Sequence, residues 1–170
     1  MSATIIGLTA PSGTGKTTLL EAVIPLLAEA GLKVAVLKHG HHSVDPDTPG
    51  KDTHRFRAAG ARTVLFQGPE RWFMIQEDGE VDPEQLLARL EGHDIILIEG
   101  LRDRPHPKLI LHRRGHSESR LDEGLKNIVA VVSDDSTLEA GYPVLDINRP
   151  DQVAAFIRDY HTSNARDTLS

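Results

Sequence analysis

Short apolar runs alternate with stretches of helical spacing along most of the chain. Thr4-Ile5-Ile6-Gly7-Leu8-Thr9 reads as a strand, and residues 18–30 carry apolar side chains at helical spacing, with Pro25 as an expected kink and Gly31 as the stop. Lys33-Val34-Ala35-Val36-Leu37-Lys38 is a second strand, so the chain opens with a β-loop-α-β unit whose strands should be parallel. Residues 53–59 predict a short helix with Asp52 as its N-cap. Residues 63–67 and 71–76 flank Gly68-Pro69-Glu70, which predicts a β-hairpin. Asp82-Pro83-Glu84-Gln85 opens a helix that carries residues 86–90 and should end near Gly92. Then Ile95-Ile96-Leu97-Ile98 is a strand buried on both faces, ending at Glu99-Gly100. Residues 108–112, 127–133 and 144–146 complete the strands, and residues 152–160 form an amphipathic helix before a tail expected to fray after His161. The class is α/β.

The chemistry concentrates in Ala10-Pro11-Ser12-Gly13-Thr14-Gly15-Lys16-Thr17-Thr18, set between the first strand and the first helix. Strand, glycine-rich loop and helix in that order make a phosphate-binding loop. Gly13 and Gly15 let successive backbone N–H groups approach an anion, and the helix start adds its unpaired N–H groups and positive dipole end. Lys16 reaches the β and γ phosphates, and the Thr17 hydroxyl suits Mg²⁺. The first position of the pattern is Ala10 instead of glycine, which is tolerable if that residue merely ends the strand with ordinary backbone angles. Glu99 closes a Walker B-like strand where an acid can orient Mg²⁺-bound water.

Lys38-His39-Gly40-His41-His42 leads into a loop with Asp45, Asp47 and Asp52, expected beside the phosphate site because ligands gather at the C-terminal ends of parallel strands. Asp47 is the loop carboxylate assigned to the metal with Thr17 and Glu99. The histidines suit a phosphate or a transition metal, although His-x-His-His lacks a clear fourth ligand for a closed zinc site. Residues 101–126 are dense in basic side chains that suit a nucleotide or an acidic partner, or simply a solvated loop. At the end of the 127–133 strand, Asp134 is placed to accept from the N1–H and exocyclic amine of guanine, a pair adenine lacks. The Asn-Lys-x-Asp guanine signature is absent.

The 170 residues suit one domain over residues 1–161 with a flexible tail over 162–170. A net charge of -6 argues against nucleic acid or an anionic membrane as partner, and the absence of cysteine excludes disulfides and thiolate zinc sites. Without a basic leader or a membrane-length apolar run, the expected location is the cytoplasm. The hairpin, which holds the only Trp, either packs over the core or offers an apolar edge to a second copy, the reading preferred here.

The phosphate loop, Lys38-His39 with His41-His42, Asp47 with Pro49-Gly50-Lys51-Asp52, Ala59-Gly60-Ala61, residues 94–100 and residues 144–148 together resemble the molybdopterin-guanine dinucleotide biosynthesis adaptor family, a P-loop GTP-binding group. The resemblance spans nearly the whole chain and implies a three-layer P-loop NTPase fold, a mostly parallel sheet with helices on both faces and a β-hairpin extension. It also implies GTP with Mg²⁺, slow hydrolysis at most, a homodimer, and partnership with the guanylyltransferase that joins GMP to molybdopterin. On this reading Pro11, Ser12, Gly13, Thr14, Gly15, Lys16, Thr17, Thr18, Gly100 and Asp134 contact nucleotide, and Lys16 and Glu99 serve any hydrolysis. The alternative is an ATP-dependent small-molecule kinase, and a third reading is a metal carrier using His39, His41 and His42.

Overall fold

The apolar runs become strands, and the connections between them decide what covers each face of the sheet. The computed structural model describes residues 3–40, 44–77, 79–115 and 124–167. In chain order the elements are β1 (Thr4–Thr9), α1 (Lys16–Glu29), β2 (Val34–Lys38), α2 (Asp52–Ala58), β3 (Thr63–Gln67), β4 (Trp72–Gln76), α3 (Pro83–Ala88), β5 (Ile95–Glu99), β6 (Lys108–His112), β7 (Ile128–Ser133), β8 (Val144–Asp146) and α4 (Pro150–Asp167). They fall into two compact units, Met1–His39 with Leu87–Ser170, and Gly40–Leu86.

In the first unit six strands run in the order β2-β5-β1-β6-β7-β8, every neighbouring pair parallel. Alternation along each strand divides its side chains between two faces. On one, Ile6, Leu8, Ile95, Leu97, Leu109 and Leu111 pack with Leu19, Leu20, Val23 and Leu27 of α1 and with Val153, Ala154 and Ile157 of α4. On the other, Ala35, Ile96 and Ile98 meet Leu87, from the last turn of α3, and the partly buried Leu90 and Leu101. Asp94 locks the start of β5: its carboxylate accepts from the Lys33 N–H at 2.7 Å and its carbonyl from the Thr4 N–H at 2.9 Å.

Several boundaries differ from the sequence reading. Helix α1 begins at Lys16, two residues before the predicted start, and includes Pro25. Asp52 is the first residue of α2 rather than its N-cap, a place taken by Lys51, and the acid still favours the positive end of the helix. Asp82 does cap α3, accepting from the Glu84 N–H at 3.2 Å, but the helix stops at Ala88, short of Gly92. Helix α4 continues to Asp167 instead of fraying after His161. Among the described residues no helix is long and apolar enough to cross a membrane.

The connection from β5 to β6 explains why the second face has little helix. Both strands lie beside β1, one on each side, and both run parallel to it. Residues 100–107 must therefore return from one edge of the sheet to the other while passing over β1. Retracing a five-residue strand and crossing two strand spacings needs about 19 Å; eight residues span about 27 Å extended but only about 12 Å as a helix. The segment is consequently not helical. It passes over Gly7, where a Cβ would stand 2.5 Å from His106 Nε2, and Pro107 accepts from the Gly7 N–H at 2.8 Å. Lys108, one of the basic residues suggested above for a nucleotide or partner, is fully buried where this segment enters β6. Its ammonium donates to the carbonyls of Arg104, His106 and Lys126, which ties the segment to the chain entering β7.

The second unit contains α2 and the antiparallel hairpin β3-β4, in register from Thr63↔Gln76 to Gln67↔Trp72 as the turn residues predict. Arg57 of α2 organises it. The guanidinium pairs with Asp45 at 2.7 Å, with Asp47 at 3.4 Å and with Glu77 at 2.5 Å, so it holds the incoming loop and the end of β4 at once. The Asp45 carboxyl lies below its usual range because of the Arg57 hydrogen bond, and Arg57 is held more firmly protonated in return.

His106 yields a pH prediction. Burial, with help from the Lys108 and Arg104 charges, lowers its pKa from 6.5 to about 4, and its Nε2 is buried without a hydrogen-bond partner. The unfolded chain therefore takes up a proton that the folded chain refuses, so stability is fully present above about pH 6.5 and is lost as pH falls toward about 4. In urea titrations over that range, the wild-type midpoint should fall further than that of His106→Phe. Parallel curves would remove His106 from the acid response.

Candidate functional site

The loop between β1 and α1 has the conformations that anion binding requires. Gly13 and Gly15 stand at φ 79° and 100°, in the left-handed region that favours glycine. Ala10 does not: among the described residues only Leu101 and Asn127 are non-glycine residues with positive φ. The alanine at the head of the motif is thus explained, because the tight turns come after it. Gly15 is the N-cap of α1; no side chain caps the helix, and its first turn has no acidic residue. A helix start normally finds such partners for its free N–H groups. Here they are left for a ligand, with the dipole favouring an anion.

The carbonyls of the loop are held by its own side chains. Lys16 Nζ donates to the Ala10 and Pro11 carbonyls at 2.9 and 3.0 Å, and the buried Thr14 hydroxyl donates to the Pro11 carbonyl at 2.8 Å. Pro11, Ser12 and Gly13 are exposed, as are Thr17 and Thr18. The sequence reading did not single out Arg113, which follows directly on β6. Its Nε donates to the Thr14 carbonyl at 3.0 Å. The signal is topological: β6 pairs with β1, so the first residue past β6 emerges beside the loop that follows β1.

Glu99 ends β5, next to β1 on the other side. The Thr17 hydroxyl donates toward its two carboxylate oxygens at 3.4 and 3.5 Å, and the Lys38 ammonium lies 3.6 Å away. A hydroxyl and a carboxylate facing each other form an oxygen donor pair that fits a hard cation such as Mg²⁺, with water completing the shell. Gly100 follows at φ 107°, and a Cβ there would approach the His39 carbonyl to 2.9 Å, so the exit from β5 requires glycine on two counts. Within the second unit Asp47 Oδ1 accepts from the Thr53 hydroxyl and the Thr48 N–H, each at 2.9 Å, while Oδ2 lies 3.4 Å from Arg57 Nε, buried without a hydrogen bond. His41 and His42 lie outside the described residues.

Past the ends of β7 and β8 lies a cavity of about 380 Å³, lined by Ser133, Asp134, Asp135, Asp146, Asn148 and Gln152 among others. Ser133 Oγ accepts from the Asp135 N–H and bonds His112 Nδ1, both at 3.0 Å. The Arg114 N–H donates to Asp134 at 2.8 Å. The Asp135 carboxyl is kept below its usual range by hydrogen bonds from the Thr137 hydroxyl and N–H. The cavity is polar and acidic, suited to a ligand presenting N–H donors.

Comparison with known proteins agrees with this geometry. The chain is 37% identical over 169 residues to the molybdopterin-guanine dinucleotide biosynthesis adapter protein of Haemophilus influenzae, covering 95% of this chain and 93% of that one. It is 34% identical over 161 residues to the protein of the same name from Escherichia coli, covering 92% of each. The crystal structure of Bacillus subtilis MobB superposes with a TM-score of 0.70 at 28% identity, covering 91% of this chain and 96% of that one. The family model for molybdopterin guanine dinucleotide synthesis protein B matches residues 5–134. With its phosphate loop, its Glu99 strand and these relatives, the chain belongs to the MobB family.

Proposed function

We propose that the protein is a GTP-binding adapter in molybdopterin guanine dinucleotide biosynthesis, working with the guanylyltransferase that joins GMP to molybdopterin. The observation that carries the nucleotide part is the uncapped start of α1 behind two left-handed glycines, with Lys16 at hand. The loop amides, the α1 N-terminus and Lys16 hold the triphosphate. Thr17 and Glu99 contribute oxygens to a Mg²⁺ shell, and the ion supplies charge neutralisation at the phosphates when bound. Asp47 is the third oxygen donor read from the sequence, and within its own unit its carboxylate pairs with Arg57 and accepts from Thr53. Asp134, in the cavity beyond β7, accepts from the guanine edge. The relatives, named as adapters, lend no support to the kinase alternative.

Hydrolysis should be slow. Phosphoryl transfer depends on a positioned water and on positive charge placed against the transition state. Glu99, which faces Thr17, is the group assigned to orient water, and its acceptor capacity is shared by Thr17 and Lys38. Such an arrangement suits holding the nucleotide more than turning it over.

Self-association is part of the same proposal. In the hairpin Val64 is buried, but Leu65, Trp72 and Met74, which share one face by their register, are 60%, 67% and 37% exposed. An apolar stripe on a two-stranded ribbon is suited to covering by a second copy.

Titration calorimetry with GTP, ATP and MgCl₂ tests the nucleotide reading. GTP should bind at least about tenfold more tightly than ATP, and Lys16→Ala should weaken GTP by about tenfold or more, as expected for loss of a charged hydrogen bond. Asp134→Ala should narrow the gap between the two nucleotides. Unchanged GTP affinity in Lys16→Ala, or turnover by the protein alone above about 1 s⁻¹, would contradict the reading. For the dimer, light scattering should give twice the chain mass in the wild type and the monomer mass in Trp72→Lys with Leu65→Lys; a monomeric wild type refutes it.

A further inference from the structure

Arg113 has no role in the site as assigned so far, yet it is built into place from two sides. The residue before it, His112, is bonded through Nδ1 to Ser133 Oγ at 3.0 Å. The N–H of the residue after it, Arg114, is held by the Asp134 carboxylate at 2.8 Å. The backbone that bears Arg113 is therefore fastened to the end of β7. From that mount its guanidinium crosses to the phosphate loop, where Nε donates to the Thr14 carbonyl at 3.0 Å. A Cβ placed on Gly15 would stand 3.4 Å from Nη2, so the group lies against the same peptide along its length.

A trans peptide points its C=O and N–H in opposite directions. Whatever holds the Thr14 carbonyl therefore also aims the Gly15 N–H, and Gly15, at φ 100°, has few restraints of its own. Lys16 and the Thr14 hydroxyl restrain the carbonyls of Ala10 and Pro11, earlier in the loop. Arg113 restrains the one at its far end. We propose that Arg113 is a positioning residue, which orients the Thr14–Gly15 peptide so that its N–H is preset for the phosphate groups beyond the first. The guanidinium acts from outside the loop. It raises affinity by removing a freedom of the free protein, with no contact to the nucleotide required. The inference rests on the loop binding a nucleoside polyphosphate.

The test compares GTP, GDP and GMP, the last by competition, on wild type, Arg113→Ala and Arg113→Lys, with thermal midpoints recorded for each. Arg113→Ala should lose about tenfold in affinity for both GTP and GDP, as the cost of ordering one backbone unit on binding implies, leave GMP within about twofold, and still unfold in a single transition with its midpoint lowered by only a few degrees. Arg113→Lys, which keeps a cationic donor, should recover most of the loss. Equal weakening of all three nucleotides would indicate a role at the base or in general stability and overturn the proposal. A loss confined to GTP would indicate direct contact with the terminal phosphate and overturn it too, as would unchanged affinities. If the wild type binds none of the three, the nucleotide reading itself fails and this inference falls with it, an outcome separate from a silent variant of a binding-competent protein.

Discussion

A helix that begins without a capping side chain sets the terms for everything around it. At the start of α1 the free N–H groups have neither a Ser, Thr, Asp or Asn cap nor an acid in the first turn. A protein avoids leaving such groups unpaired unless something else supplies the acceptor. Backbone amides can converge on one point only if their carbonyls diverge, and diverging carbonyls need donors of their own. Lys16, the Thr14 hydroxyl and Arg113 meet that need. Two of the three come from the motif itself, and the third arrives from the far end of β6.

The sheet places these groups. β1 sits centrally, so the loop after it is flanked by the ends of β5 and β6, which bring Glu99 to one side and Arg113 to the other. The arrangement requires β5 and β6 to be joined across β1 in eight residues, and that return leaves its mark at the opposite edge. Gly7 exists to let His106 pass, and Lys108 is buried with its charge on three carbonyls because the returning chain has no helix to satisfy its own backbone. A cation bonded entirely to carbonyls is better stabilised than one in an apolar pocket, though burial still lowers its pKa. The short return thus links the site's geometry to a fully buried lysine.

Much of this was legible in the chain. The strands at residues 4–9, 108–112 and 144–146 and both arms of the hairpin fall where apolar runs and turn residues set them, because each run is short and β-rich, and most are bounded by Gly, Pro or charge. The phosphate loop was legible because its chemistry is local: the glycines, lysine and threonine that matter are consecutive. What could not be read depends on contacts distant in sequence. Arg113 and Lys108 are both basic residues of the same charged stretch, yet one brackets the phosphate loop and the other is buried beneath a crossing segment. Composition treats them alike; only the pairing of β6 with β1 separates them. Helix ends were the least legible, since α4 gains its last turns after Tyr160 with only Ala165 apolar to announce them.

Asp47 and Asp134 show why a carboxylate's role cannot be assigned from its neighbourhood in sequence. Each follows a strand in a loop rich in polar residues. Asp47 has a guanidinium, a hydroxyl and a backbone N–H on its oxygens, and its side chain is only 5% exposed, so opening it to an ion would leave Arg57 with a buried, weakened pairing. Asp134 has a single N–H on one oxygen and borders a cavity, so it retains acceptor capacity facing open volume. A chain of net charge -6 has no general attraction for a polyphosphate. Binding must therefore come from dipoles and cations fixed within a few ångströms of the anion, and carboxylates must be either neutralised in place or turned away from it. The two acids satisfy that condition: one is paired with its arginine, and the other keeps acceptor capacity toward the cavity past β7.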